Sequence, residues 1–464
     1  MKISHFYVGY FHITGERSIK EILKQKKGEI NVLTEENCNR YIKVLEEELI
    51  CAMGCTEPIA IAYAAATARE YLGEMPESVR VEVSGNILKN AKSVVVPGTD
   101  GLRGIEAAAA AGIIAGKAEK KLEVISEITD DLRSEIRRFM DTAEIKVGIA
   151  DTDKILDIRI QLQKGEHTAY VRISDYHTNI TEIRRDGIPS AGQESEVKAA
   201  ETCASEGESS MSDREFMNVE DIVQFADTVE ISRVKEILDR QIDCNMAIAN
   251  EGIHNNYGAN IGKTILKMYG SSDAKVRAKA LAAAGSDARM NGCELPVVIN
   301  SGSGNQGITA SVPVIVIARD RKVTEEKLYR ALLVSNLITI HLKSGIGRLS
   351  AYCGVVSAGC GSGAGIAYLS GGGVDVIRHT IVNGLATVSG IICDGAKASC
   401  AAKIASAVDA GLLGYEMYMN GQQFYGGDGI VKKGVENTIH SVSRLAKEGM
   451  QQTDKAILKI MTEM

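Results

Sequence analysis

Tryptophan is absent from this 464-residue chain, proline is limited to 6 residues and aromatic residues to 5%. Bulky rings therefore do little of the packing. The 46 glycines and many alanines point instead to closely packed helices joined by tight turns, with backbone free to approach a ligand. No segment approaches the roughly 20 apolar residues of a membrane span. Residues 1–29 lack the continuous apolar core of a secretory signal. A net charge of −7 with no dense Lys/Arg block argues against nucleic acid or an anionic membrane as partner. Histidines do not cluster: His254, His341 and His379 are isolated, and no His-x-x-x-His zinc pattern occurs. The ten cysteines are irregularly spaced, unlike the disulfide framework of a small secreted module. A reducing cytoplasm is the expected location.

The length implies two domains, and the patterning gives them different characters. Residues 1–29 read as an N-terminal extension. Residues 30–187 read as an α/β domain. Thr34 is placed to cap a helix with Tyr41, Val44, Leu45 and Leu49 on its apolar face, and Pro58 opens an alanine-rich second helix. Val79–Val83 and Ser93–Val96 read as short strands. Lys146–Ala150, Ile155–Gln163, His167–Ser174 and Ile180–Arg185 alternate β-branched and polar residues between turn formers, the pattern of an antiparallel meander. Residues 188–214, rich in Ser, Glu and Gly, read as a linker or exposed loop. From 215 to 464 the pattern is helical, with candidate helices at 273–291, 325–343, 373–391, 400–413 and 430–449. Glycine-rich junctions are expected at 301–307, 345–347, 354–365 and 371–373. The expected class is α+β: an N-terminal α/β domain with antiparallel strands and a larger all-helical C-terminal domain.

The chemistry candidates sit mainly in those junctions. Cys393-Asp394-Gly395-Ala396-Lys397-Ala398-Ser399-Cys400 follows a glycine-rich stretch carrying Cys353 and Cys360. Two cysteines close in sequence, plus one from an earlier segment, suit a soft metal or an iron–sulfur cluster. On spacing alone they are equally well small buried residues. In Met53-Gly54-Cys55-Thr56-Glu57-Pro58, a cysteine at a helix start would feel the positive end of the helix dipole, which favours thiolate, a nucleophile and a usable base. The bland alternative is a tight turn. Ser301 to Gly307, a Ser-Gly-Ser-Gly-Asn-Gln-Gly loop between two apolar strand-like runs, could cradle an anion. It is neither a nucleotide P-loop nor a dinucleotide fingerprint. Ser84 to Asn90 with Pro97-Gly98-Thr99 forms a similar polar cluster. Lys89, Lys263, Lys343, Lys397 and Lys403 all lie near glycine or polar segments, and none stands out as a pyridoxal-phosphate lysine.

Taken together, Gly-Cys-Thr-Glu-Pro at 54–58, Gly85-Asn86, Lys89-Asn90, Pro97-Gly98-Thr99, Gly304-Asn305-Gln306-Gly307, Cys353-Gly354 and Ile392 to Lys397 leading to Ser399-Cys400 resemble one family. It holds L-cysteine desulfidase and the α-subunit-like iron–sulfur L-serine dehydratases. The resemblance runs from about residue 35 to 445. It implies a [4Fe–4S] cluster held by Cys353, Cys393 and Cys400, with Cys55 as the base that removes the α-proton of an amino-acid substrate. Beside that site, Asn305, Gln306 and Lys397 are the expected contacts to the substrate's carboxylate and amino groups. The short Cys393–Cys400 spacing and the cysteine at 55 favour the desulfidase branch, which converts L-cysteine to pyruvate, ammonia and sulfide. L-serine dehydration on the same cluster is the alternative, and a non-enzymatic iron–sulfur or redox-sensing protein is a third. The expected partner is a small amino acid, with neither nucleic acid nor membrane, and a homodimer is left open.

Overall fold

The computed structural model describes residues 33–189 and 213–463. The extension expected at 1–29 and most of the linker expected at 188–214 lie outside these residues. The architecture is α+β: a sheet with its covering helices comes first, and a mainly helical half follows.

Helix α1 (Glu35–Glu48) begins where Thr34 accepts the Asn37 N–H, with Glu35 and Glu36 at the positive end of the dipole. Strand β1 (Cys51–Met53) leads through Gly54 into α2 (Thr56–Leu72), which is buried almost all round. A helix apolar on every side belongs in the middle of a protein. It lies against a six-stranded sheet formed by β2 (Ser78–Val83), β3 (Glu144–Ile149), β4 (Asp157–Lys164), β5 (His167–Ser174), β6 (Ile180–Arg185) and β7 (Ile188–Pro189), in the order β3-β2-β4-β5-β6-β7. Helices α3 (Gly85–Ala91), α4 (Gly104–Ala115) and α5 (Asp130–Thr142) fill the connection from β2 to β3.

That connection changes the expected meander. Strands β4, β5 and β6 are antiparallel neighbours, but β3 pairs in parallel with β2, and β2 sits between β3 and β4. A parallel pair needs a long crossover, and the three helices supply it. Ser93–Val96, read as a strand, makes only the isolated bridge Val95–Arg103.

The second half comprises α6 (Val219–Thr228), α7 (Lys235–His254), α8 (Ile261–Tyr269), α9 (Ala274–Met290), β8 (Pro296–Val298), α10 (Gly304–Asp320), α11 (Glu325–Ser344), α12 (Gly354–Leu369), α13 (Val374–Val388), α14 (Cys400–Met419), α15 (Val435–Arg444) and α16 (Gln451–Thr462). It is helical except for β8, which pairs antiparallel with β1 and so links the halves through Cys51–Val298 and Met53–Pro296. None of the helices of the described residues is long and apolar enough to cross a membrane.

Two helices contradict the local reading. Residues 304–320 were expected to pass from a loop into a strand-like run, and 354–365 to be a junction. Both are helical because packing overrides propensity. In α12 the glycines are the contact surface: a Cβ on Gly359 would lie 2.3 Å from the Ala407 carbonyl oxygen, and one on Gly363 would lie 2.6 Å from that of Gly411. The two contacts share an offset of 48 residues, so α12 and α14 run parallel and in step.

Candidate active site

The parallel pair places two cysteines at one end. Cys353 is the N-cap of α12 and Cys400 is the first residue of α14. Their sequence separation is nearly the offset of the packed glycines, so both thiols stand at the positive ends of adjacent helices. Cys393 is brought in by backbone pairing. Tyr352 and Ile392 form an antiparallel bridge, Cys353 N–H donates to the Ile391 carbonyl at 3.1 Å, and Cys393 N–H donates to that of Ala351 at 2.7 Å. The Cys353 thiol donates to Cys393, which holds Cys353 well above the usual thiol range and pulls Cys393 below it. The charges of Lys89 and Lys343 and the Gly395 N–H help hold Cys393 down.

The segment from Cys393 to Cys400 folds back tightly. Cys400 Sγ accepts the Lys397 N–H at 3.4 Å. Gly395 has φ +96°, and a Cβ there would lie 2.3 Å from the Lys89 carbonyl oxygen. Both the left-handed backbone and the contact require glycine. Cys360, further along α12, is fully buried with its sulfur against Gly384 and belongs to the core rather than to this group.

Cys55 approaches from the other half. It is the N-cap of α2, 1% exposed, and shares a small apolar cluster with Val94 and Met290 against which Ala396 and Cys400 pack. Its sulfur is 3.8 Å from Met290 Sδ. The helix start was expected to favour thiolate, but here desolvation wins. Burial pushes the Cys55 thiol up to about 12, against the pull of Arg289, and the charges of Glu57 and Cys400 push the same way. Cys55 therefore rests as a thiol.

The 301–307 segment lines the same region. Thr56 Oγ1 donates to the Gly302 carbonyl at 3.0 Å, tying this turn to the start of α2. Asn305 and Gln306 lie in the first turn of α10. Asn305 Nδ2 is 3.6 Å from Met290 Sδ, and the Gln306 amide packs on Gly354 beside Cys353. Asn305 Oδ1, Gln306 Oε1 and Lys397 Nζ are buried and hydrogen-bond to nothing among the described residues. Unmatched buried polar atoms of this kind call for a ligand or an ion.

Several contributors escaped the sequence reading. Arg289 and Met290 end α9, an alanine-rich helix with no motif, and the Arg289 guanidinium runs under Gly304. His177, on the turn between β5 and β6, lies 3.9 Å from Glu57. Burial alone would raise Glu57, yet His177 and Arg289 keep its carboxyl below the usual range. Lys343 is buried, and desolvation lowers it to about 8 against the attraction of Cys393 and Cys353. Lys343 and Ser301 also line an open cleft of about 1140 Å³ that reaches the surface beside the site.

Among the described residues, no three His, Cys, Asp or Glu side chains are gathered as ligands of a single metal ion. The donor set is three neighbouring thiols, one of them pulled toward thiolate, ringed by cations and unmatched amides. Soft sulfur ligands of this kind suit an iron–sulfur cluster.

Residues 107–459 match the family described as serine dehydratase alpha chain. That span includes Cys353, Cys393 and Cys400 but not Cys55. A UPF0597 protein of Desulfitobacterium hafniense is 60% identical over 421 residues, covering 91% of this chain and 96% of the relative. A UPF0597 protein of Lachnoclostridium phytofermentans is 53% identical, covering 91% and 99%. One from Treponema denticola is 46% identical, covering 91% and 97%.

Proposed function

From its place in the serine dehydratase alpha-chain family, to which this chain belongs, we propose that it is an iron–sulfur-dependent lyase that eliminates sulfide from L-cysteine. The observation that carries the reading is the meeting of Cys353, Cys393 and Cys400 in one place with Cys55 packed against Cys400. Cys353, Cys393 and Cys400 would hold a [4Fe–4S] cluster. When bound, it would supply a Lewis-acidic iron to the substrate's leaving group, since three ligands leave one position open.

The protein's own groups account for the remainder. Lys397 Nζ is an unmatched buried cation suited to the substrate carboxylate, and Asn305 Oδ1 and Gln306 Oε1 are unmatched acceptors suited to its ammonium. Cys55 takes the α-proton. As a buried thiol it must first give up its own, which passes to solvent as the substrate enters and before the site closes, and a substrate ammonium brought beside it favours that loss. A base so strongly desolvated then holds the α-proton firmly. Loss of the β-substituent leaves aminoacrylate, which hydrolyses to pyruvate and ammonia. Closed surroundings keep water from Cys55, which is 1% exposed.

The family description favours a second reading, L-serine as substrate, with water as the leaving group. The two are separated by anaerobic purification, iron and sulfide analysis, visible absorbance, and assay with each amino acid. A chain that binds iron and turns over L-cysteine faster than L-serine meets the proposal. Faster turnover of L-serine transfers the assignment to dehydration, and a protein active without iron overturns both.

A further inference from the structure

A second pair of cysteines lies apart from this site, and neither member is used by the proposed reaction. Cys51 is the first residue of β1, directly opposite Val298 of β8. Asn245 of α7 grips that same Val298 at both ends. Its Nδ2 donates to the Val298 carbonyl at 3.1 Å, and its Oδ1 accepts the Val298 N–H at 2.8 Å. The residue before it, Cys244, is thereby held beside Cys51, and the two thiols hydrogen-bond. Both are partly exposed, whereas Cys55, Cys293, Cys353 and Cys360 are buried. Arg240, one turn earlier on α7, adds a positive charge and a hydrogen bond to Cys51, with Glu123 opposing.

We propose that Cys51 and Cys244 are a hydroperoxide-reactive thiol pair that closes to a disulfide. An accessible thiolate beside a resolving thiol is the arrangement that oxidant-sensing cysteines share. Cys51 attacks the peroxide. Its sulfur gains oxygen as the O–O bond breaks, giving a sulfenic acid and hydroxide, which takes up a proton. Cys244 then attacks the sulfenic sulfur, forms the S–S bond, and releases the oxygen as water. Two electrons pass from the two sulfurs to one hydroperoxide.

The hydrogen bond from Cys244 comes first among the influences that lower Cys51 to about 7, with burial opposing and Arg240 assisting. Cys38 supplies the contrast within the chain. It is also partly exposed, but burial raises it despite Arg233. At pH 7 the larger thiolate fraction of Cys51, reduced by its lower intrinsic nucleophilicity, leaves it alkylated at least about fivefold faster than Cys38. The inference does not depend on the lyase reading.

The test uses the full-length protein purified anaerobically. Timed iodoacetamide labelling at pH 7 ranks the cysteines by peptide mass. Stoichiometric hydrogen peroxide, followed by digestion without reductant, should yield a cross-linked pair of peptides carrying Cys51 and Cys244, reversed by dithiothreitol. In Cys244→Ser the cross-link should vanish, and dimedone should trap Cys51 as the sulfenic acid. The proposal is overturned if Cys51 is labelled no faster than Cys38. It is also overturned if peroxide leaves both thiols free while other cysteines oxidise, or if Cys51 pairs elsewhere.

Discussion

The spacing between Cys353 and Cys400 is set by glycines several residues away, and Gly411→Ala tests it. A Cβ at 411 would lie 2.1 Å from the Gly359 carbonyl oxygen, where ordinary contact begins at 3.4 Å. The interface must open by about 1.3 Å or the backbone must deform. Overpacking of this kind costs about 1–3 kcal/mol, while replacing a mid-helix glycine by alanine returns up to about 1 kcal/mol. Net destabilisation is therefore small, and the melting temperature should fall by only a few degrees. The site should suffer more. Displacing α12 from α14 separates their leading cysteines by the same order, and a misplacement of about 1 Å can lower a rate by about 10²-fold. Iron content, turnover and thermal melting are measured on the same preparation. Gly373→Ala, where nothing lies within 4 Å of the added methyl, is the control. If Gly411→Ala keeps full iron and turnover, the glycine contacts do not set the cysteine spacing.

Three further outcomes follow. Cys55→Ser should lower turnover by about 10²–10⁴-fold through loss of an acid–base group, with the visible absorbance of the cluster retained; bleaching would make Cys55 a ligand. Cys393→Ser should lose absorbance and activity together, because an alkoxide is a poor substitute for thiolate on iron; an iron-replete variant would remove Cys393 from the ligand set. Asp287 is a buried carboxyl raised to about 6 by desolvation, although it accepts the Gly262 N–H. Between about pH 4 and 6 the unfolded chain gives up this proton and the folded one keeps it, so stability falls as pH rises through that window. Asp287→Asn should therefore gain in melting temperature relative to the parent as pH is raised from 4 to 7, and a constant difference would contradict the burial argument.

Much of this was legible in the chain. The Thr34 cap, the strands from 157 to 185 and the helices near 274, 325, 374 and 400 follow from capping residues and periodicity. The failures have tertiary causes. Five glycines from Gly354 to Gly365 look like a loop until α14 lies against them, and Val- and Ile-rich 308–317 looks like a strand until it is enclosed as α10. The cysteine and Asn-Gln motifs were visible as unusual local sequence. Arg289, Met290 and His177 were not, because none belongs to a recognisable motif and each gains its role from a partner distant in sequence: Glu57 for Arg289 and His177, Cys55 for Met290. The protonation state of Cys55 depends on enclosure, which no local pattern reports.

The pairing of β1 with β8 also bears on how the molecule is made. Cys51 and Val298 are brought together across nearly 250 residues. Contacts of such long sequence separation form late, because loop closure must precede any gain from them. At about 5–20 residues per second, a ribosome needs on the order of ten to fifty seconds to deliver the second strand after the first. Throughout that interval the segment leading to Cys55 has emerged without its partner. A nascent chain arrested before residue 296 should thus leave Cys55 open to a thiol reagent, and release of the full-length chain should close it.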